Sequence, residues 1–344
     1  MRSSIQFLIS SHRIHLRSYS TRSKPIFDMS LKKRQREWAA THTQDDTYDY
    51  LRTTVADILV DRLDDILRDF EVALDLGCHK GHIYDAMVKQ NEYAVERGIG
   101  GVKHLAQTDI ADFKSFIDAK TKPKADLFSS DFVVSSECAD SQVLSPEKYD
   151  LVMSSLYLHW VNDLPSMLKQ IKTSLKPDGA FLGTMLGGST LEEFRNAFFM
   201  AEMERTGGVA PHASPLARAS DMAALMQAAG FNLPTIDVDT ITVSYPNAFV
   251  LMEHLVGMGE GSAAYDRQAY PAGRDTFLAM ATLYQDMYGN EDGEVNATFQ
   301  VISMIGWKPH ESQQQPLKRG SATRSLKEIG NDVVIDKSGR SKPV

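Results

Sequence analysis

Two groups of residues in this chain have the types and spacing to do chemistry. One is Asp75-Leu76-Gly77-Cys78-His79-Lys80-Gly81, an acid followed by a turn bracketed by glycines. The other is His159-Trp160, an imidazole beside an indole. Such a pair can supply a general base and a face for a guanidinium or sulfonium cation. Packing of both rings under a following helix is the equal alternative, and Tyr157 on the same loop is a weaker candidate. Cys78, His79 and His82 are close enough to suggest a metal, yet no carboxylate completes a facial triad by visible spacing. The expectation is no metal. Cys78 and Cys138 are the only cysteines, too few for a disulfide framework or a structural zinc. His212, between Pro211 and Ser214-Pro215, reads as a loop cap. Arg267 and Arg274 could bind an acidic group, although solvated charge is commoner.

The elements that must position these residues follow from the apolar pattern. Val72, Ala73, Leu74 and Leu76 form a short run suited to a strand buried on both faces of a parallel sheet. A helix begins after Gly81, with Ile83, Met87 and Val88 on its apolar side. A strand, a glycine turn and a helix N-terminus together hold a polar cofactor at a sheet's carboxyl edge. The acid Asp75 at the strand end suits a cationic or hydrogen-bond-donating ligand better than a phosphate. That points to S-adenosylmethionine, with Asp75, Gly77 and Gly81 as binding residues. Asp109 closes a second strand over 102–108, where a doubly wound fold places its ribose acceptor. Alternatively it caps a helix over Ile110–Ile117. A third strand lies within Phe132–Cys138, and Asp140 after it could accept from an adenine amino group or serve as a turn or cap residue.

Around this centre, helical spacing from Tyr48 to Leu67 predicts a helix before the sheet. Tyr149–Ser155 reads as a fourth strand, Asp163 or Asn162 caps a helix through Leu175, and Ala180–Leu186 is a fifth strand. Thr190–Glu204 and Ser220–Ala229 read as helices. Ile236–Val238, Ile241–Tyr245 and Ala297–Trp307 read as strands, and helices at 247–256 and 274–288 interrupt the last two. The stretch of about 247–290 is a candidate lid, with Gly257, Gly259 and Gly261 as a flexible hinge.

Of 344 residues, 42% are hydrophobic and 24% charged, ample for one large domain. No apolar run approaches the roughly 18–20 residues of a membrane span. Nine of the 37 basic residues lie in 1–36 with only Asp28 as an acid, and seven lie in 310–344 with four acids. Residues 37–309 therefore carry 21 basic and 40 acidic residues. Such a body repels nucleic acid and suits a basic peptide, although an acidic solvated surface explains it equally well. Residues 1–24 are Arg- and Ser-rich, amphipathic and free of acid, the composition of a mitochondrial transit peptide. Residues 25–46 form an N-terminal arm, 47–309 the domain, and 310–344 a polar tail expected to be disordered.

The alternation of strands and helices, the acid-glycine turn and the acids after the next two strands resemble a class I S-adenosylmethionine-dependent methyltransferase. Within that class the chain closely resembles the mitochondrial complex I assembly factors with a methyltransferase fold, regarded as protein arginine hydroxylases. The motifs are SSLYLHWVNDLP (154–165), KPDGAFLG (176–183), PHASP (211–215), GMGE (257–260), MYGNEDG (287–293), IGWK (305–308) and RGSAT (319–323). A more distant similarity is to the bacterial enzyme that methylates a malonyl thioester. The resemblance implies an α/β fold, a doubly wound seven-stranded Rossmann-like sheet with an inserted helical lid. It also implies an S-adenosylmethionine cofactor, a complex I subunit as arginine-containing partner, and a location in the mitochondrial matrix, with inner-membrane association open. Methyl transfer to a small acid or thioester, and a non-catalytic assembly chaperone, are the alternatives. One departure stands out. The family turn reads acid-Leu-Gly-Cys-Gly-x-Gly, and His79 replaces its middle glycine. A side chain there is expected to crowd the cofactor or strain the backbone.

Overall fold

The computed structural model describes residues 25–42, 46–91, 98–121, 128–135, 143–210, 212–266, 272–314, 319–321, 333–335 and 341–343. Residues 1–24, Cys138, Asp140, Pro211 and Arg267 lie outside them.

Apolar runs of strand length alternate with amphipathic helices, and the outcome is a sheet buried between helical layers. Helix α1 (Met29–His42) and α2 (Tyr50–Asp64) precede β1 (Val72–Leu76). Then come α3 (His82–Asn91), β2 (His104–Asp109), α4 (Lys114–Thr121), β3 (Ser129–Val134) and β4 (Tyr149–Ser155). The second half comprises α5 (Leu164–Ser174), β5 (Leu175–Leu186), α6 (Glu192–Arg205), α7 (Ala219–Ala229) and β6 (Asn232–Tyr245). It closes with α8 (Ala248–Gly257), α9 (Arg274–Tyr288) and β7 (Val295–Trp307). The seven strands lie in the order β3-β2-β1-β4-β5-β7-β6. Strands β1 to β5 pair in parallel and β7 runs antiparallel between β5 and β6. This is the doubly wound seven-stranded sheet of the class I methyltransferase type. In the tail, Val333–Ile335 pairs antiparallel with Ser341–Pro343.

Several boundaries differ from the sequence reading. The third strand, expected within Phe132–Cys138, runs from Ser129 to Val134 and so begins three residues earlier. The two short strands after Ala229 are one strand, because pairing with β7 continues across Asp239 and Thr240. The helix after Asp109 starts at Lys114, four residues late, so Asp109 caps nothing there. At the start of α5 the expected Asp163 cap accepts a hydrogen bond from Ser166 N at 3.0 Å.

Packing around the sheet falls into separate cores. One, with Leu59, Phe70, Tyr84 and Met153, lies between the sheet and α2 and α3. Another, with Leu168, Phe181, Met226 and Ile302, lies under α5 and α7. A third, with Phe194, Phe198, Leu251 and Tyr284, binds α6, α8 and α9 over the β7 end. Burying side chains of this size at roughly 1.5–3 kcal/mol each anchors the strand ends that carry the polar residues. Among the described residues no helix is long and apolar enough to cross a membrane.

Candidate functional site

β1 ends on Asp75, and the chain then turns through Gly77 and Gly81 with φ of 79° and 85°. Only a glycine adopts these angles freely. A Cβ at Gly77 would fall 2.1 Å from the Tyr157 ring, so the close approach that glycine permits is used by a side chain of this protein. Gly77 N and Cys78 N both donate to Thr108 O, which ties the turn to β2.

His79 has a φ of 51°, a left-handed conformation that L residues seldom take. The strain expected from its side chain is therefore present. Its imidazole is buried against Phe113, 4.7 Å between ring centres, and stacks on His82 at 5.6 Å. Neither ring nitrogen of His79 has a hydrogen-bond partner among the described residues. Burial, followed by the charges of Arg52 and Arg36, holds its pKa well below the ordinary histidine value, so the ring is neutral.

Asp75 is fully buried and neither carboxyl oxygen has a hydrogen-bond partner among the described residues. Burial, reinforced by the charge of Asp109, pushes its pKa up to about 8. Gln107, its register partner on β2, draws the value down by proximity but makes no hydrogen bond of normal geometry with it. A buried acid without a partner is stable only as the protonated form, until a cation or donor arrives.

Asp109 closes β2 as expected, but its partner comes from the N-terminal arm. Arg36 of α1 donates to Asp109 Oδ2 at 2.7 Å, and both side chains are fully buried. His79 N and Ala111 N donate to the same carboxylate at 3.1 and 3.0 Å. The expected ribose acceptor is thus engaged internally. Arg36 also lies over the Tyr157 ring, 5.1 Å from its centre. Its Nε and second terminal nitrogen have no hydrogen-bond partner among the described residues. What remains of the space at the turn is a cavity of about 10 Å³ beside Asp75, Gly77, Cys78, His79 and Arg52.

The donor set fits S-adenosylmethionine: an unpartnered acid beside the turn and a second acid at the end of β2. With Tyr157 packed against Gly77 and Arg36 on Asp109, the space of about 10 Å³ beside the turn does not admit it. Neither competitor is visible in the turn itself. Arg36 belongs to a basic run, Lys32-Lys33-Arg34-Gln35-Arg36, that looks like solvated charge until α1 is folded.

His159 and Trp160 are both buried and converge on Glu260. His159 Nε2 lies 3.1 Å from Glu260 Oε2, and Trp160 Nε1 donates to that oxygen at 2.8 Å. Arg52 of α2 pairs with Glu260 Oε1. Burial alone would raise the Glu260 pKa, but Arg52 and then the His159 hydrogen bond and charge outweigh it and hold the carboxyl far below its ordinary value. His159 Nδ1 has no hydrogen-bond partner among the described residues, and burial lowers the pKa of the ring. Lys32 Nζ sits 3.3 Å above the Trp160 ring and donates to Gly259 O and Gly261 O at 3.0 and 2.8 Å. The glycine segment read as a flexible hinge is therefore pinned by α1.

Beside this cluster opens a pocket of about 210 Å³, lined among others by His159, Trp160, Phe198, His212, Glu260 and Phe277. Its wall is held by Glu202, which accepts from Ala210 N at 2.7 Å and lies 2.6 Å from His212 Nε2. His212 stacks on Phe198 with 4.1 Å between ring centres, so it both fastens its loop and faces the pocket. The sequence reading missed Glu260, although it closes the quoted GMGE motif. Arg274 opens α9 and does not line this pocket.

A family model described as a methyltransferase domain matches residues 48–235. The chain is 45% identical over 316 residues to the Danio rerio protein named Arginine-hydroxylase NDUFAF5, mitochondrial, covering 91% of this chain and 92% of that one. The Homo sapiens protein of the same name is 44% identical over 315 residues, covering 91% and 86%. A Malonyl-(acyl-carrier protein) O-methyltransferase of Methylovorus sp. (strain MP688) is 28% identical over 270 residues, covering 76% and 85%.

Proposed function

The chain belongs to the family of the mitochondrial NDUFAF5 arginine hydroxylases, and from that premise we propose that it hydroxylates an arginine of a respiratory complex I subunit during assembly. The observation that carries the reading is the 45% identity, sustained over 91% of the chain. The pocket supports it chemically. Trp160, Phe198 and Phe277 line it with aromatic rings, with Lys32 over one face of Trp160 and His212 over one face of Phe198, and Glu260 sets a carboxylate at the pocket wall. His159, with Nδ1 unpartnered, is the candidate proton acceptor, and Trp160 a candidate face for the substrate cation.

S-adenosylmethionine belongs at the carboxyl edge of β1 and β2 in this reading, where it would supply a polarised methyl sulfonium. Asp75 receives its ammonium, Gly77 and Gly81 let the backbone approach it, Asp109 accepts its ribose hydroxyls and Asp140 its adenine amino group. Arg36 must first leave Asp109. Residues 1–24 act as a transit peptide that delivers the chain to the matrix, where it works as a peripheral partner of complex I.

Hydroxylation inserts one atom of dioxygen into a C–H bond, and the other leaves as water with two electrons and two protons from a reductant. Mass spectrometry of complex I subunits from cells with and without this chain tests the reading. An arginine that gains the mass of one oxygen only when the chain is present is the expected result. A gain of one methylene instead supports methyl transfer, the second reading, which the similarity to the malonyl thioester methyltransferase favours. No change in mass, with assembly still dependent on the chain, supports a non-catalytic chaperone.

A further inference from the structure

Asp49 occupies the N-cap position of α2, yet its carboxylate makes no capping hydrogen bond. It points instead to the turn after β1. Lys80 Nζ donates to its Oδ2 at 2.9 Å, and its Oδ1 faces His82 Nε2 at 3.9 Å, too long for a hydrogen bond. His82 Nε2 and both ring nitrogens of His79 are buried without a hydrogen-bond partner among the described residues. One ligand atom each from Asp49, His79 and His82 lie within 4.8 Å of one another, and all three residues are buried.

We propose that Asp49, His79 and His82 form a binding site for a divalent first-row transition metal, a two-histidine, one-carboxylate set with open coordination positions. The carboxylate that sequence spacing does not supply comes from the N-cap of α2, 30 and 33 positions ahead of His79 and His82. Imidazole nitrogens with one carboxylate suit iron, cobalt, nickel and zinc, and this ligand set with free positions is the kind used by non-haem Fe(II) oxygenases. A packing role explains the cluster less well. His79 adopts a left-handed backbone conformation and buries two unsatisfied nitrogens where a glycine would do neither.

The surrounding charges are compatible with a dication. Lys80 is paired with the other oxygen of Asp49, and Arg52 with Glu260. Asp109 lies nearby, paired with Arg36 and accepting from His79 N. Ligand atoms lie about 2.0–2.2 Å from such a metal. Loading therefore draws the three side chains closer together and fastens α2 to the β1 turn. Arg52 lines the cavity beside His79 and His82 and pairs with Glu260, which lines the larger pocket. The site is thus one side chain removed from the proposed substrate pocket, but it does not depend on the hydroxylase reading.

Anaerobic titration of the chelator-treated full chain with Co²⁺, followed by visible d–d absorption and calorimetry, tests the proposal without turnover. The expected result is a single saturable site, weakened about tenfold or more by His79→Gly, His82→Gln or Asp49→Asn. His79→Gly keeps the fold, because glycine suits the positive φ, and circular dichroism checks this. X-ray absorption of the Co²⁺ complex should show imidazole nitrogen in the first shell. Absence of saturable binding, binding that survives a His79→Gly/His82→Gln double variant, or a first shell without imidazole would overturn the proposal. Because metal binding is read directly, failure to find hydroxylated arginine leaves this result unaffected, and the reverse also holds.

Discussion

At the carboxyl edge of β1 and β2, Arg36, Tyr157 and His79 fill the space and leave about 10 Å³. Beside His159, under α6, α8 and α9, about 210 Å³ stays open. The filled region is the less satisfied one. Both carboxyl oxygens of Asp75, both ring nitrogens of His79, Nε2 of His82 and two nitrogens of Arg36 lie buried there without hydrogen-bond partners among the described residues, while Glu260 in the open region has both oxygens engaged. Occupancy by the protein's own side chains is therefore a poor sign of a finished core. Buried polar groups without partners are costly, and their concentration at one strand edge marks where a ligand is wanted.

The comparison breaks most severely at Glu260. Glu260→Ala removes the partner of Arg52, His159 and Trp160 and leaves a guanidinium buried without its counterion. Urea unfolding should show a loss of about 3–5 kcal/mol. The folded pKa of Glu260 is depressed, so its contribution is fully present above the unfolded value of about 4.3 and fades as pH falls below it. The Ala variant should accordingly show a flatter stability profile in acid. A loss under about 1 kcal/mol would mean that the cluster is replaceable packing.

Arg36→Ala tests the filled edge, with two readouts expected to move in opposite directions. Apo stability should fall by about 2–3 kcal/mol, because Asp109 keeps only its two backbone donors. S-adenosylmethionine, measured by calorimetry, should bind more tightly because its competitor for Asp109 is gone. If stability and affinity fall together, Arg36 is part of the binding site and does not compete with the cofactor.

Asp75 gives the sharpest sign, read as a slope against pH. Its folded pKa of about 8 lies above the unfolded value of about 3.9, so the folded chain holds an extra proton between the two. Stability should fall as pH rises through that window, by up to about 1.4 kcal/mol per pH unit, and level off above it. Asp75→Asn should remove that slope. Cofactor binding below pH 8 should release a proton from Asp75, seen as a dependence of the calorimetric heat on buffer ionisation enthalpy. Binding without proton release would show that the cofactor's ammonium does not reach this acid.

The alternation of strands and helices, the ends of most elements, the turn around Gly77 and Gly81 and the place of Asp109 at the end of β2 were legible in the sequence. These features are local: apolar period, glycine placement and an acid at a strand end all lie within a few residues of what they govern. The strain at His79 was legible for the same reason, since a single residue type sets the cost of a positive φ. Pairings between distant residues were decided only by the tertiary structure. Arg36 reaches Asp109 across 73 positions, Trp160 reaches Glu260 across 100, and Asp49 stands beside His82 because α2 packs on α3. A buried charge takes whichever partner packing brings within about 3 Å, and no local pattern encodes that choice.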